Sequence, residues 1–292
     1  MKKFMSVLLV AVTLVNLLFA CNVCAADDYV KQNGLSNTLY KIENDNKLNI
    51  AYFGGSITFG LGSVDGGSYA MKTYEFLKNT YGADKEFNYI NKAVSGTGTV
   101  YGTYRMDDDL SLNDPDKVPD LTFVEFAIND SYDNISYDES ATYMESIVRR
   151  LYTANPYMDI IIVFTTDINS FDYKNNLPWE EWKNLQAHKE VAEKYNIPTL
   201  YVGKALNEKI YEECGNTTPP EREKNEVWLK YFTDVVHPTN EGYKVYTEVI
   251  NNYLKSELDL GKTVESKQKI VLGKPFFNAH DSAYLAKPTA YC

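Results

Sequence analysis

Histidine is scarce in this chain, so acid–base chemistry has three candidate bases: His188, His237 and His280. His237 lies in Asp234-Val235-Val236-His237-Pro238, just ahead of a helical run. An aspartate three residues before a histidine, on a loop, can bring its carboxylate to the Nδ1 side of the ring. That fixes the tautomer and stabilises the imidazolium. His188 falls in a helical stretch, where a surface or core role is expected, and His280 falls in an irregular tail. A nucleophile for such a base is available at Ser56, directly after Gly54-Gly55. Paired glycines permit a tight backbone and close substrate approach, and a helix starting there directs its first amides at a developing negative charge. Two more segments can donate to an oxyanion. Residues 91–99 (NKAVSGTGT) carry Gly96 in a loop, and Asn129 offers a side-chain NH₂. With the Ser56 amide these make three donors, of a kind whose single loss typically costs ~10²–10³ in rate. Taken one at a time they are also a Gly-Ser turn, a glycine loop and an acidic loop of no chemical interest.

Their placement relative to the expected elements gives them weight. Residues 48–53 (LNIAYF), 87–91, 121–126 (LTFVEF), 158–164 (MDIIIVF) and 198–202 read as short buried strands. Helical spacing runs through 69–81, 139–153, 179–195 and 239–254. Strands alternating with helices at this spacing predict a parallel sheet covered on both faces. Ligands in such sheets bind beyond the carboxyl ends of the strands. Ser56, Gly96 and Asn129 each follow a predicted strand. Beyond about residue 256 the chain turns strand-and-turn-like, with 269–272 as its best strand, and no internal repeat is found.

The four segments in this order resemble the SGNH hydrolase superfamily, the GDSL-type esterases and lipases. They read GGSIT, NKAVSGTGT, AIND and DVVHP, followed by TNEGY. The resemblance spans roughly residues 48–254. The chain departs from the family pattern at Gly55, where the family name has Asp, and at Ala127, where Gly is usual. The resemblance implies an α/β class fold, a three-layer α/β/α flavodoxin-like arrangement around a central parallel sheet; the character of the tail adds a short β-rich C-terminal extension to that expectation. It implies Ser56 as nucleophile, His237 as base then acid, Asp234 as its orienting carboxylate, and an oxyanion hole from the Ser56 and Gly96 amides and the Asn129 side chain. The implied reaction is ester hydrolysis through an acyl-enzyme, with no metal and no organic cofactor.

Other frameworks fit worse. An α/β-hydrolase elbow reads G-x-S-x-G, and Thr58 stands at the final glycine. Gly96-Thr97-Gly98 with Gly102 misses the dinucleotide fingerprint by one residue. No CxxC follows Cys24 and no His-rich tract suggests zinc. A net charge of −11 disfavours nucleic acid and anionic membrane surfaces. Met1-Lys2-Lys3, a mostly apolar run over 4–20 and Ala25-Ala26 have the layout of a secretory signal peptide. The expected division is 1–25 signal, 26–258 hydrolase domain and 259–292 C-terminal extension or start of an accessory β module, with no membrane span in the mature chain. A lipoprotein anchored at Cys21 is the variant reading, and Cys214 and Cys292 are the candidates for a disulfide. The expected partner is an acylated carbohydrate or another small ester. Tyr101, Tyr104 and Arg105 after the Gly96 loop, and Trp179 and Trp182, are the expected substrate contacts, because aromatic rings stack on sugar faces. A lipid-directed esterase, and a non-catalytic carbohydrate-binding protein, are the alternatives.

Overall fold

Strands and helices alternate as the sequence leads one to expect in the computed structural model, which describes residues 29–30, 34–168, 182–218 and 221–279. The strands are β1 (Tyr29–Val30), β2 (Lys47–Gly54), β3 (Glu86–Asn91), β4 (Leu121–Glu125), β5 (Asp159–Val163) and β6 (Thr199–Leu200). They form one sheet in the order β1-β6-β5-β4-β2-β3. The five strands from β2 onward pair in parallel, and β1 adds an antiparallel edge of two residues. All five residues of β4 and of β5 are buried, as a parallel sheet covered on both sides requires.

The period of two along a strand divides the core into two layers. Leu48, Ile50 and Tyr52 of β2 face one layer with Leu121, Phe123, Ile161 and Val163. That layer is closed by α1 (Ser36–Asn44), α3 (Tyr69–Tyr81), α8 (Val202–Glu213), α9 (Glu226–Tyr231) and α10 (Asn240–Glu257). Ala51, Phe53, Val124, Ile160 and Ile162 face the other, under α4 (Thr99–Asp109), α6 (Tyr137–Ala154) and α7 (Lys183–Tyr195). Two short helices sit at strand ends: α2 (Ser56–Phe59) after β2, and α5 (Ala127–Tyr132) after β4. The entry to α6 is fixed by a capping box, with the Ser136 hydroxyl accepting from the Glu139 N–H and the Glu139 carboxylate accepting from the Ser136 N–H.

The segment after α10 differs from its expectation. Residues 269–272, expected as the best strand of a β-rich extension, run without a ladder partner among the described residues; the Ile270 N–H bonds the Pro156 carbonyl at 2.8 Å. The reason is that the segment docks on helices, not on a sheet edge. Asn37 and Gln268 exchange two hydrogen bonds, at 2.9 and 2.6 Å. Arg149 donates to the Gly273 carbonyl. The Glu145 carboxylate accepts the Phe276 and Phe277 N–H groups at 2.7 and 2.8 Å. The signal-like segment, Cys21, Trp179, His280 and Cys292 lie outside the described residues, and Cys214 is free among them. No described helix is long and apolar enough to cross a membrane.

Candidate active site

Strands β4, β2 and β3 are neighbours, so their carboxyl ends bring three loops together. After β2 the chain turns at Gly54-Gly55 into the one-turn helix α2, whose first residue is Ser56. Gly60 closes that turn in the left-handed region, at φ +102°. Neither glycine of the turn tolerates a side chain. A Cβ on Gly54 would lie 2.4 Å from Thr58 Oγ1 and 2.5 Å from the Glu125 carbonyl. A Cβ on Gly55 would lie 2.4 Å from Asn129 Nδ2. The Asn129 amide thus lies against the residue preceding Ser56.

The histidine loop is built by its own aspartate. Asp234 Oδ1 accepts the N–H groups of Val236 and His237, both at 2.8 Å, closing a tight turn. Asp234 Oδ2 lies 2.7 Å from His237 Nδ1. The far ring nitrogen, Nε2, lies 2.8 Å from Ser56 Oγ. With Nδ1 protonated toward the carboxylate, Nε2 presents its lone pair to the serine hydroxyl. Burial pushes the Asp234 carboxyl upward, but the His237 ring and the two backbone N–H groups outweigh it and hold the group below the usual carboxylate range. Thr233 and His237 are tied by a 2.8 Å backbone bond, and the Thr239 hydroxyl caps α10. Gly62 lets the loop after α2 pass close by: a Cβ there would be 2.5 Å from the Pro238 carbonyl and 3.2 Å from His237 Cβ.

The donors converge from the two other loops. Asn129 donates through Nδ2 to the Thr97 carbonyl at 2.7 Å, which orients its amide and leaves a second N–H. Gly96 adopts φ +72°, and a side chain there would meet nothing within 4 Å. Asp130, next to Asn129, anchors the Gly96 loop. Its carboxylate accepts the Thr99 N–H and hydroxyl, both at 2.7 Å, and the Ser140 hydroxyl at 2.6 Å, and it lies 3.0 Å from His188 Nε2. Burial pushes Asp130 up, yet His188, Ser140 and Thr99 hold it below its usual range. His188 is fully buried, the core side of the two roles expected for it.

The expected substrate contacts separate. Tyr101 and Tyr104 are exposed, at 53% and 41%. Arg105 turns inward, against its expectation. Its guanidinium pairs with Asp109 at 2.6 Å and lies 4.3 Å from the centre of the Phe53 ring, where it braces β2. Trp182 is half-buried against both core layers. Two groups were missed by sequence reasoning: the exposed Phe59, Leu61 and Val64 in the loop after Ser56, and the buried acids Glu125 and Asp130. An acid inside the apolar run LTFVEF was the available signal for Glu125.

Ser56, His237 and Asp234 thus stand in one hydrogen-bonded line, and the segments that carry Ser56, Asn129 and His237 fall within a stretch that matches a known family. The family model of GDSL-like lipases and acylhydrolases matches residues 52–245. The chain belongs to that family. Its fold is similar to that of a two-domain esterase active on acetylated mannans, with 23% identity and a TM-score of 0.66 over 84% of this chain. The chain spans 59% of that protein's length. It is also similar to an acetylxylan esterase of Geobacillus stearothermophilus, with 18% identity and a TM-score of 0.53 over 71% of this chain and 94% of the other. A third similar structure is an α/β hydrolase from the metagenome of Lake Arreo, Spain, at 16% identity and a TM-score of 0.54, covering 73% of this chain and 96% of that one. No curated protein matches the chain.

Proposed function

We propose that the protein is an exported serine esterase that removes O-acyl groups, chiefly O-acetyl, from carbohydrate. The observation that carries the esterase mechanism is the continuous line Ser56 Oγ–His237 Nε2–His237 Nδ1–Asp234 Oδ2, with contacts of 2.8 and 2.7 Å. His237 Nε2 takes the Ser56 proton as Oγ attacks the ester carbonyl carbon. The negative charge forming on the carbonyl oxygen is met by the Ser56 and Gly96 amides and the second N–H of Asn129. Collapse breaks the bond to the alcohol oxygen, which leaves with the proton held by His237. Water then attacks the acyl-enzyme, giving its proton to His237, and the second collapse releases the acid and returns the proton to Ser56. Asp234 keeps the ring in the required tautomer throughout and stabilises the imidazolium.

The carbohydrate assignment is supported by the exposed rings of Tyr101 and Tyr104 on the helix that follows the Gly96 loop, since aromatic faces stack on sugars. It is supported also by the fold likeness to esterases whose substrates are acetylated mannan and acetylated xylan. Export is supported by the basic start and apolar run of residues 1–26. One observation favours a second reading: Phe59, Leu61 and Val64, exposed beside the nucleophile, suit a longer acyl chain. Hydrolysis of aryl esters from acetyl to long acyl, beside acetate release from acetylated mannan and xylan, separates the two. Acetyl preference with acetate release supports the carbohydrate esterase. Rates that rise with chain length and no acetate release would move the enzyme to lipids.

A further inference from the structure

The strand that ends beneath the nucleophile carries an acid that this mechanism does not use. Glu125 is the last residue of β4 and lies in register with Gly54 of β2. It is only 3% exposed. Three donors from two other strand ends converge on its carboxylate: the Thr58 hydroxyl on Oε2 at 3.0 Å, the Thr165 hydroxyl on Oε1 at 3.1 Å, and the Gly55 N–H. The Thr58 oxygen lies 2.7 Å from the Tyr69 hydroxyl. Because Thr58 gives its own proton to Glu125, Tyr69 must donate to Thr58. With Glu125 ionised, the chain from Tyr69 through Thr58 to Glu125 therefore runs in one direction and ends on the carboxylate. Gly55 and Thr58 flank Ser56 on both sides, so this carboxylate grips the turn that carries the nucleophile.

A carboxylate buried here costs free energy unless it is fully hydrogen-bonded. A neutral amide could complete the same strand without that cost, so the charge calls for a reason. We propose that Glu125 is a positioning residue for the reaction: its buried carboxylate holds the Gly55 amide and the Thr58 hydroxyl so that Ser56 Oγ stays within reach of His237 Nε2. The inference rests on the reading of Ser56 as the nucleophile. It also has a consequence for pH. The titratable groups that face Glu125 are Asp130 of α5, Tyr69 of α3, and Tyr243 and Tyr246 of α10. Burial, with the Asp130 charge, outweighs the bonds from Thr58, Thr165 and Gly55 and pushes the Glu125 carboxyl up to about 7. The grip is thus lost as pH falls through neutrality. Loss of the Glu125 charge therefore adds one proton to the acid limb of log kcat/KM near neutrality.

The test compares wild type, Glu125→Gln and Ser56→Ala on an aryl acetate, with inactivation by a serine-directed fluorophosphonate as a second readout. The expected Glu125→Gln enzyme is folded by circular dichroism and keeps KM within about threefold. Its kcat and fluorophosphonate rate fall together by at least about tenfold, and its acid limb is shallower than the wild type's by one proton. Wild-type kcat with an unchanged limb in Glu125→Gln overturns the proposal while leaving the nucleophile reading intact. Full activity in Ser56→Ala overturns the nucleophile reading itself. If Glu125→Gln fails to fold, Thr165→Val removes one donor to the carboxylate and is expected to move the acid limb to higher pH; an unmoved limb overturns the proposal.

Discussion

Asp234 performs two tasks with two oxygens, and they can be separated by one atom. Oδ1 builds the turn through the Val236 and His237 amides, and Oδ2 bonds the His237 ring. Asparagine keeps an acceptor for the turn but offers NH₂ to the ring, which favours the wrong tautomer. Asp234→Asn is expected to lower kcat by roughly 10²–10⁴ with little change in thermal midpoint; a fall in midpoint with kcat per folded molecule retained would contradict it. Glu125 gives the opposite coupling of activity and stability. Its carboxyl rises from 4.5 to about 7 in the fold, so the fold prefers the neutral form. Stability is therefore greatest below the unfolded value and declines as pH rises between about 4.5 and 7. From pH 8 down to 5.5 Glu125 alone adds roughly 2 kcal/mol of stability while activity falls. Asp159, also pushed up to about 7 by burial, acts in the same direction. Urea unfolding at the two pH values should show the gain, reduced in Glu125→Gln; an equal gain in that variant would contradict the assignment. Ser56 and Asn129 stood out in the sequence because each follows a predicted strand, and His237 because histidine is scarce and Asp234 stands three residues before it. The clamps formed by Glu125 and Asp130 were not, because their partners Thr58, Thr165, Thr99 and His188 meet only once the strands are laid side by side.

At the scale of elements, the site depends on how closely β2, its turn and α5 approach. Gly55 is the point of contact, since a Cβ there would overlap Asn129 Nδ2. Gly55→Ala should push the asparagine away from the oxyanion and cost about 10² in kcat, with a smaller effect on KM. A wild-type kcat in that variant would show that Asn129 does not act on the transition state. The strongly periodic helix Tyr69–Tyr81 and the strands over 48–53, 87–91 and 121–126 fall within a residue or so of where hydrophobic pattern puts them. The weaker elements escaped. α1 opens without a side-chain cap of its own, and Asp159 of β5 accepts its Thr38 N–H at 2.6 Å instead. α8 begins at Val202, inside the run expected as strand, because β6 pairs over only two residues and the chain then bends away from the sheet. Both outcomes are set by tertiary contacts that no local pattern encodes.

For the whole molecule, the segment over 259–279 behaves as a strap on the α6–α7 face. Its backbone completes the hydrogen bonding of Glu145 and Arg149, both buried in α6. Phe276 packs edge-on against Tyr195, with ring centres 5.7 Å apart. Removing residues 263–292 deletes several hydrogen bonds to charged groups and this packing, on the order of 3 kcal/mol. The expected result is a thermal midpoint lower by roughly 4–10 °C with kcat per folded molecule unchanged, since among the described residues the deleted segment's hydrogen bonds go to α1, α6 and Pro156. A midpoint equal to that of the full chain would show that the strap contributes nothing to stability.

The central claim is that Ser56, activated by His237, carries an acyl group taken from an acetylated glycan. Acetate release from acetylated mannan and xylan by the wild type and Ser56→Ala, read beside a ladder of aryl esters, tests it most directly. Release by the wild type, with a fall to background in Ser56→Ala and aryl acetate as the preferred ester, is the predicted result. Equal release by both proteins, or turnover confined to long-chain esters, would contradict it.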